Sequence, residues 1–230
     1  MQNFLTPDQW NSLRGLDTCG VANAIETLNV RLRNEGYIRP GLRCLFGHFP
    51  AMLGYAVTSR IKCSNPPATG GSYFDRTDWW NMMDAYPVPR VAVIQDSDAE
   101  PGLGAAVGEV HGAILSALQC TGIVTDGAVR DIPALEALNL HVFTRHVSVS
   151  HAYVHIIDFG TPVEILGLTI RPGDLLFGDM HGVICIPPEI AADLPAIVEE
   201  QTRQKRTVID LCRSPEFSIK KLRAAVRGLG

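Results

Sequence analysis

An α/β fold in one domain is what this sequence predicts, on three observations. Short β-branched and apolar runs at residues 54–61, 91–95, 122–125 and 141–144 read as strands with helical stretches between the later ones. Beyond Ser150 the texture changes to closely spaced strands and turns, a compact β layer. A charged helical stretch then closes the chain. With 230 residues, 46% hydrophobic and 19% charged, the chain can bury one substantial core, and no repeat, low-complexity linker or composition break divides it. The expectation is a single domain over 1–230, with 188–230 a helical tail used in contacts between copies of the chain.

Each element has a local cause. Thr6-Pro7 followed by Asp8 and Trp10 reads as a capped helix start with proline in the first turn. A second short helix is expected over 21–28, opened by Asp17 or Thr18. The clearest helix covers about 108–119, where Val110, Ile114, Ala117 and Leu118 share one face at 3.6-residue spacing. Strands are expected at 154–157, 163–166, 168–170, 174–177 and 183–186, with Arg171-Pro172-Gly173-Asp174 as a strong turn. Pro187-Pro188 ends the last strand, a helix runs from Glu189 to about Leu211, and after Ser214-Pro215 a final helix runs through Leu222 to Val226.

Bulk properties exclude several functions. A formal charge of -4, from 20 basic and 24 acidic residues, makes no large single-sign field, so nucleic acid is not an expected partner. The basic residues of the tail alternate with Glu199, Glu200 and Glu216, as a solvated helix face does. Six cysteines are spread singly, with no CxxC pair to hold zinc or cycle redox, and read as reduced thiols. The opening MQNFLTPDQW has neither a basic nor an apolar leader region, and no apolar run approaches the ~18 residues of a membrane span, so a cytoplasmic protein without a membrane partner is expected.

Three segments could carry chemistry. Pro101 to Glu109 is a glycine-rich loop before a helix, but its glycines read GxGxxxG and no βαβ unit precedes them, which disfavours a nucleotide site. What the loop does offer is a helix start at Gly108, where the amides of Val110 and His111 can hold an anionic oxygen. Glu109 beside them either compensates the helix dipole or faces a bound cation. The second segment is Thr125-Asp-Gly-Ala-Val-Arg130-Asp131-Ile-Pro133. Asp126-Gly127 reads as a turn out of an apolar strand, placing Arg130 and Asp131 in a strand-to-helix connection. Asp131 could take a metal while Arg130 forks onto a carboxylate; equally, Asp131 could cap the helix of 134–138 beside a solvated arginine. The third, Gly173 to Val183, reads as a hairpin whose Asp179-Met-His181-Gly turn is hydrogen-bonded. His151 and His155 fall in a segment read as strand, where they chelate poorly and serve as core or surface histidines.

Taken together, Gly20-Val-Ala-Asn-Ala-Ile-Glu26, Gly108-Glu109, the Thr125-to-Asp131 run, and Gly173-Asp174 through Gly182-Val-Ile-Cys-Ile-Pro187 resemble the class II 4-hydroxy-4-methyl-2-oxoglutarate and 4-carboxy-4-hydroxy-2-oxoadipate aldolases. That family also contains the regulator of ribonuclease E activity A (RraA-like). The resemblance spans roughly residues 17–187. It implies a swivelling α/β/β/α domain, assembled as a homotrimer or homohexamer with sites between subunits, that cleaves pyruvate-derived hydroxy acids with Mg2+ or Mn2+. Position by position, it makes Asp131 the direct metal ligand and gives metal-bound waters to Glu26 and Glu109. It seats pyruvate on Arg130, at Gly108, and on the Val110 and His111 amides. Glu199, on the C-terminal helix of a neighbouring subunit, would complete the site. Asp179-Met-His181-Gly stands where the family more often has Asp-x-Asp-Gly, and the Trp79, Trp80 and Tyr86 segment looks particular to this chain.

The activity expected is retro-aldol cleavage of a 4-hydroxy-2-oxo acid to pyruvate, a small-molecule 2-keto acid reaction, with oxaloacetate decarboxylation through the same enolate. The base is expected to be a metal-bound water steered by Glu109 or Glu26. A non-catalytic regulator of an RNA-processing enzyme, or a metal-dependent hydrolase or isomerase of another 2-keto acid, would use the same fold.

Overall fold

The computed structural model describes residues 5–68 and 72–227. In chain order the elements are α1 (Pro7–Arg14), α2 (Thr18–Leu28), β1 (Arg43–Cys44), β2 (Met52–Lys62), α3 (Ser72–Asp84), β3 (Arg90–Asp96), β4 (Ala105–Val107), α4 (Glu109–Ala117), β5 (Cys120–Val129), α5 (Ile132–Ala137), β6 (His141–Val147), β7 (His155–Phe159), β8 (Val163–Ile165), β9 (Leu168–Ile170), β10 (Leu175–Asp179), β11 (Gly182–Ile186), α6 (Leu194–Arg213) and α7 (Ile219–Val226).

The expected helix starts are built as the sequence specifies. The Thr6 hydroxyl accepts from the Gln9 amide and the Gln9 side chain accepts from the Thr6 amide, a reciprocal cap that fixes α1. Of the two candidates for opening α2, Asp17 is the one that caps it, through the Gly20 amide at 2.7 Å. The charged helix begins at Leu194, later than its composition suggests, because residues 188–193 turn before Pro195 enters its first turn.

The main sheet runs β1-β6-β5-β3-β2-β10-β11, with β4 added to β5 and β7 to β2. β2, β3, β5 and β6 are joined in parallel, whereas β10 pairs antiparallel with β2 and β11 antiparallel with β10. The sheet curls until its ends approach: a Cβ on Gly178 of β10 would lie 2.9 Å from Phe143 of β6. Alternation along β2 shows how the layers divide. Met52 and Ala56 point inward to Val93, Val124, Phe143 and Leu176, closed by the β8–β9 hairpin. Leu53 and Tyr55 point outward to α1, α2 and α6. Val57 and Ile61, also outward, meet α3, α4 and α5 through Trp79, Met83, Leu115 and Leu135. Two β layers thus enclose one core and carry helices outside, the expected α/β/β/α arrangement with C-terminal helices.

Some local readings are corrected. Asp126 and Gly127 do not turn the chain out of a strand; they lie inside β5, at a register shift between Thr125 and Ala128 against β6. The bulge is held by the Gly127 amide on the Thr125 hydroxyl at 3.0 Å and by the Thr144 hydroxyl on the Gly127 carbonyl at 3.1 Å. Tertiary pairing therefore overrides the Asp-Gly turn signal. The glycine loop likewise contains the buried strand β4. Residues 72–84, in the segment particular to this chain, form α3; the buried Arg90 guanidinium donates to the carbonyls of Asp84 at its end, Tyr86 just beyond it, and Leu118 at the end of α4. That single arginine fixes α3 and α4 to the start of β3. Among the described residues no helix is long and apolar enough to cross a membrane.

Candidate functional site

The parallel pairing of β4 with β5, Val107 opposite Val129, brings two chain segments far apart in sequence to one sheet edge. Both strands end there, and α4 and α5 both begin there. The segment after β6, also parallel to β5, arrives at the same end. Carboxyl ends of parallel strands are where α/β sheets leave a crevice. Here the crevice is a cavity of about 190 Å³ lined by Trp80, Gly108, Glu109, Val110, His111, Ile114, Arg130, Asp131 and His151.

Arg130 is anchored by its amide on the Val107 carbonyl at 2.9 Å, and its guanidinium donates weakly to the Val149 carbonyl at 3.4 Å. Asp131 occupies the cap position of α5 with φ +54, a left-handed conformation that aspartate, like asparagine, adopts more readily than most residues. Its side chain makes no bond to α5. It crosses instead to the start of α4, where Oδ2 accepts from the Glu109 amide at 3.0 Å and from Arg130 Nε at 3.3 Å. This backbone turns the carboxylate away from α5 and toward the cavity. The Glu109 N–H, with the Arg130 charge beside it, holds the Asp131 carboxyl below its usual range, so it is ionised at neutral pH.

Gly108 leaves the room this crossing uses. A Cβ there would lie 2.5 Å from Asp131 Oδ2 and 3.0 Å from Arg130 Cγ. Val110 and His111 stand in the first turn of α4 and line the cavity. Glu109 projects its carboxylate at the same mouth, without a hydrogen bond among the described residues. The donor set suits a small hard divalent cation: Asp131 keeps Oδ1 clear of protein partners, Glu109 offers a second carboxylate, and the cavity leaves room for waters.

Two histidines behave differently. His111 is buried, its Nδ1 on the Ala106 carbonyl at 3.1 Å and its Nε2 accepting from the Trp80 indole at 3.3 Å. An indole nitrogen only donates, so the ring is neutral with the proton on Nδ1. His151, expected as a core or surface histidine, is exposed. It lies before β7 and lines the cavity, its Nδ1 on the Ala105 carbonyl at 2.8 Å. Nothing in its sequence neighbourhood signals this; the pairing of β4 with β5 does.

Glu26 and Glu199 are not brought to this cavity within one chain. Glu26 sits on α2 in a cleft with Asn23, Arg33 and Gln201, its carboxylate 3.9 Å from Arg33 Nε. Glu199 lines a groove of α6 with Glu200 and Arg203. A second group with metal-ligand spacing, Cys63, Asp96 and Asp98, is already engaged. Asp98 accepts from the Cys63 and Ser64 amides at 2.7 and 2.9 Å, and Asp96 from those of Asp98 and Gly102 at 3.1 and 2.8 Å. These bonds fold the loop leading to β4.

Fold and site together define an α/β protein with a curled sheet and, at the ends of parallel strands, a crevice lined by Arg130, Asp131 and Glu109. Residues 18–185 match the family model described as RraA-like, Aldolase/RraA, and the chain belongs to that family. It is 38% identical over 107 residues to the "Putative 4-hydroxy-4-methyl-2-oxoglutarate aldolase" of Halalkalibacterium halodurans, covering 46% of this chain and 50% of that protein. It is 33% identical over 79 residues to an uncharacterised Methanocaldococcus jannaschii protein, 34% of this chain and 36% of that one. The alignments thus span half or less of these curated relatives. Among solved structures it resembles an uncharacterised Pseudomonas syringae protein, with TM-score 0.73 and 22% identity over 97% of this chain and 96% of that one. It also resembles Streptomyces coelicolor RraAS2, described as an unusual member of the RNase ES inhibitor RraA family, with TM-score 0.68 and 19% identity over 89% and 98%. These structural likenesses share the fold.

Proposed function

We propose that this protein is a carbon–carbon lyase that cleaves a 4-hydroxy-2-oxo acid, of the 4-hydroxy-4-methyl-2-oxoglutarate or 4-carboxy-4-hydroxy-2-oxoadipate type, to pyruvate and a carbonyl product. One observation carries the reading: the Arg130 fork, the Asp131 carboxylate and the first-turn amides of α4 converge on a single cavity. The aldolase name of the Halalkalibacterium relative supports it.

Asp131, with Glu109 behind it, is the place for Mg2+ or Mn2+, which when bound supplies a Lewis acid toward the 2-keto and carboxylate oxygens of the substrate. The chain's own residues do the rest. The amides of Val110 and His111 receive a carboxylate oxygen at the positive end of α4. Arg130 reaches both that carboxylate and the C2 oxygen, where negative charge collects as the C3–C4 bond breaks. Gly108 lets backbone and substrate approach, and Trp80 and Ile114 wall the cavity against water. Oxaloacetate, which yields the same enolate on losing carbon dioxide, is decarboxylated at the same site.

Glu26 and Glu199 enter the reading from a neighbouring subunit of a homotrimer or homohexamer, since neither reaches the cavity of its own chain. Six free thiols fit a reducing cytoplasmic setting. The test is pyruvate release, coupled to lactate dehydrogenase, from a panel of 4-hydroxy-2-oxo acids and oxaloacetate, with and without Mg2+ or Mn2+. Cation-dependent pyruvate release from the panel supports the reading. No release from any member overturns it.

A further inference from the structure

Retro-aldol cleavage needs a base at the C4 hydroxyl, and of the two carboxylates expected to steer one, Glu109 stands with Asp131 at the proposed cation position. Glu26 lies in another cleft, and His111 has both ring nitrogens engaged. From this geometry we infer that His151 is the general base: its Nε2 takes the C4 hydroxyl proton and returns it to C3 of the enolate. The inference rests on the aldolase reading and adds a residue to it.

Three observations support it. First, His151 shares the cavity with Arg130, Asp131 and Glu109. Second, one ring nitrogen is already engaged by the backbone. Nδ1 sits 2.8 Å from the Ala105 carbonyl, which can only accept, so the proton is on Nδ1 and the lone pair on Nε2. Nε2 has no partner among the described residues. Third, the backbone at Ser150 and His151 is held against Gly104 and Ala105, where β4 begins. The Ala105 amide donates to the Ser150 carbonyl at 2.8 Å, and Gly104 packs so closely that a Cβ there would lie 2.3 Å from the His151 carbonyl oxygen. These contacts fix the backbone that carries the exposed imidazole at the cavity mouth.

The step balances without a co-reactant. The O–H proton moves to Nε2, the oxygen lone pair forms the new C4 carbonyl, and the C3–C4 bonding pair becomes the enolate of pyruvate. The imidazolium then gives its proton to C3 and is neutral again. Decarboxylation of oxaloacetate breaks the equivalent bond with no hydroxyl proton to remove, so the two reactions separate this role from others.

His151→Asn keeps an N–H for Ala105 but loses the base, and His151→Ala opens a space at the cavity mouth. Both are to be assayed with 4-hydroxy-4-methyl-2-oxoglutarate and with oxaloacetate, and Mg2+ and pyruvate binding followed by calorimetry. The ratio of aldol cleavage to decarboxylation should fall by on the order of 10²-fold in both variants, with Mg2+ affinity kept. Added imidazole should restore cleavage to His151→Ala and not to His151→Asn. Equal loss of both reactions, an unchanged ratio, or no imidazole rescue would overturn the assignment. A wild-type chain that performs neither reaction refutes the aldolase reading itself, and the assignment with it.

Discussion

Gly108→Ala is the most exacting perturbation of the site, because it adds one methyl group and asks for nothing else. The backbone at Gly108, φ -136 and ψ -161, is extended and open to alanine, so no conformational strain is introduced. The whole effect comes from contact. The new Cβ would stand 2.5 Å from Asp131 Oδ2, where ordinary contact begins near 3.4 Å, so about 0.9 Å must open between them. Asp131 cannot yield that distance and keep its 3.0 Å bond from the Glu109 amide and its 3.3 Å contact with Arg130 Nε. A displacement near 1 Å in a positioned catalytic group costs roughly 10²-fold in rate. Because the carboxylate and guanidinium lie at the cavity mouth and not in the core, the melting temperature should move by only a few degrees. The assay pairs kcat for pyruvate release with Mg2+ affinity by calorimetry and thermal unfolding. Unchanged kcat and Mg2+ affinity would show that the Gly108–Asp131 approach has no role in the chemistry. A large fall in melting temperature would show that it serves the fold.

Four other outcomes are expected. Asp131→Ala should abolish turnover and Mg2+ binding together, and retention of either at normal strength would refute its role as the direct ligand. Arg130→Lys should fold normally and lose roughly 10²-fold or more in kcat, since a point charge cannot replace the fork; near wild-type kinetics would reduce Arg130 to a surface residue. Refolding inactive Arg130→Ala chains with weakened Glu199→Ala chains should recover activity at mixed interfaces, and mass spectrometry showing mixed rings without rescue would exclude a shared site. Finally, Asp126 is buried against Asp96 inside β5, and loss of solvation, with Asp96 adding repulsion, pushes its carboxyl up to about 6. Its favourable contribution is therefore complete below the unfolded value of 3.8 and lost as pH rises through about 6, on the order of 3 kcal/mol. Asp126→Asn, which keeps an acceptor for the Asp96 amide, should raise the melting temperature by several degrees at pH 8 and flatten stability between about pH 4 and 6. A variant less stable than wild type at pH 8 would contradict this.

Local chemistry made much of the fold legible. Thr6 and Asp17 cap the helices they precede, because a side-chain oxygen two or three residues before the first free amides is a purely local matter. The runs at 54–61, 91–95 and 141–144 became strands because β-branched residues buried on both faces read as continuous apolar segments. The adjacency of Arg130 and Asp131 at a strand-to-helix junction, and Gly108 at a helix start, were also visible one segment at a time. The sequence could not show that the two junctions meet, since that depends on β4 pairing with β5 across more than twenty residues. It read Asp126-Gly127 as a turn, where partner strands convert the same dipeptide into a bulge. It offered no reason to single out His151, whose ring is engaged by a carbonyl on β4, or Trp80, whose indole is placed by a helix anchored through Arg90. Capping, periodicity and turn chemistry act over three or four residues and are written in the sequence. Which carboxylate faces which amide depends on strand pairing between distant segments, and only the folded sheet decided it.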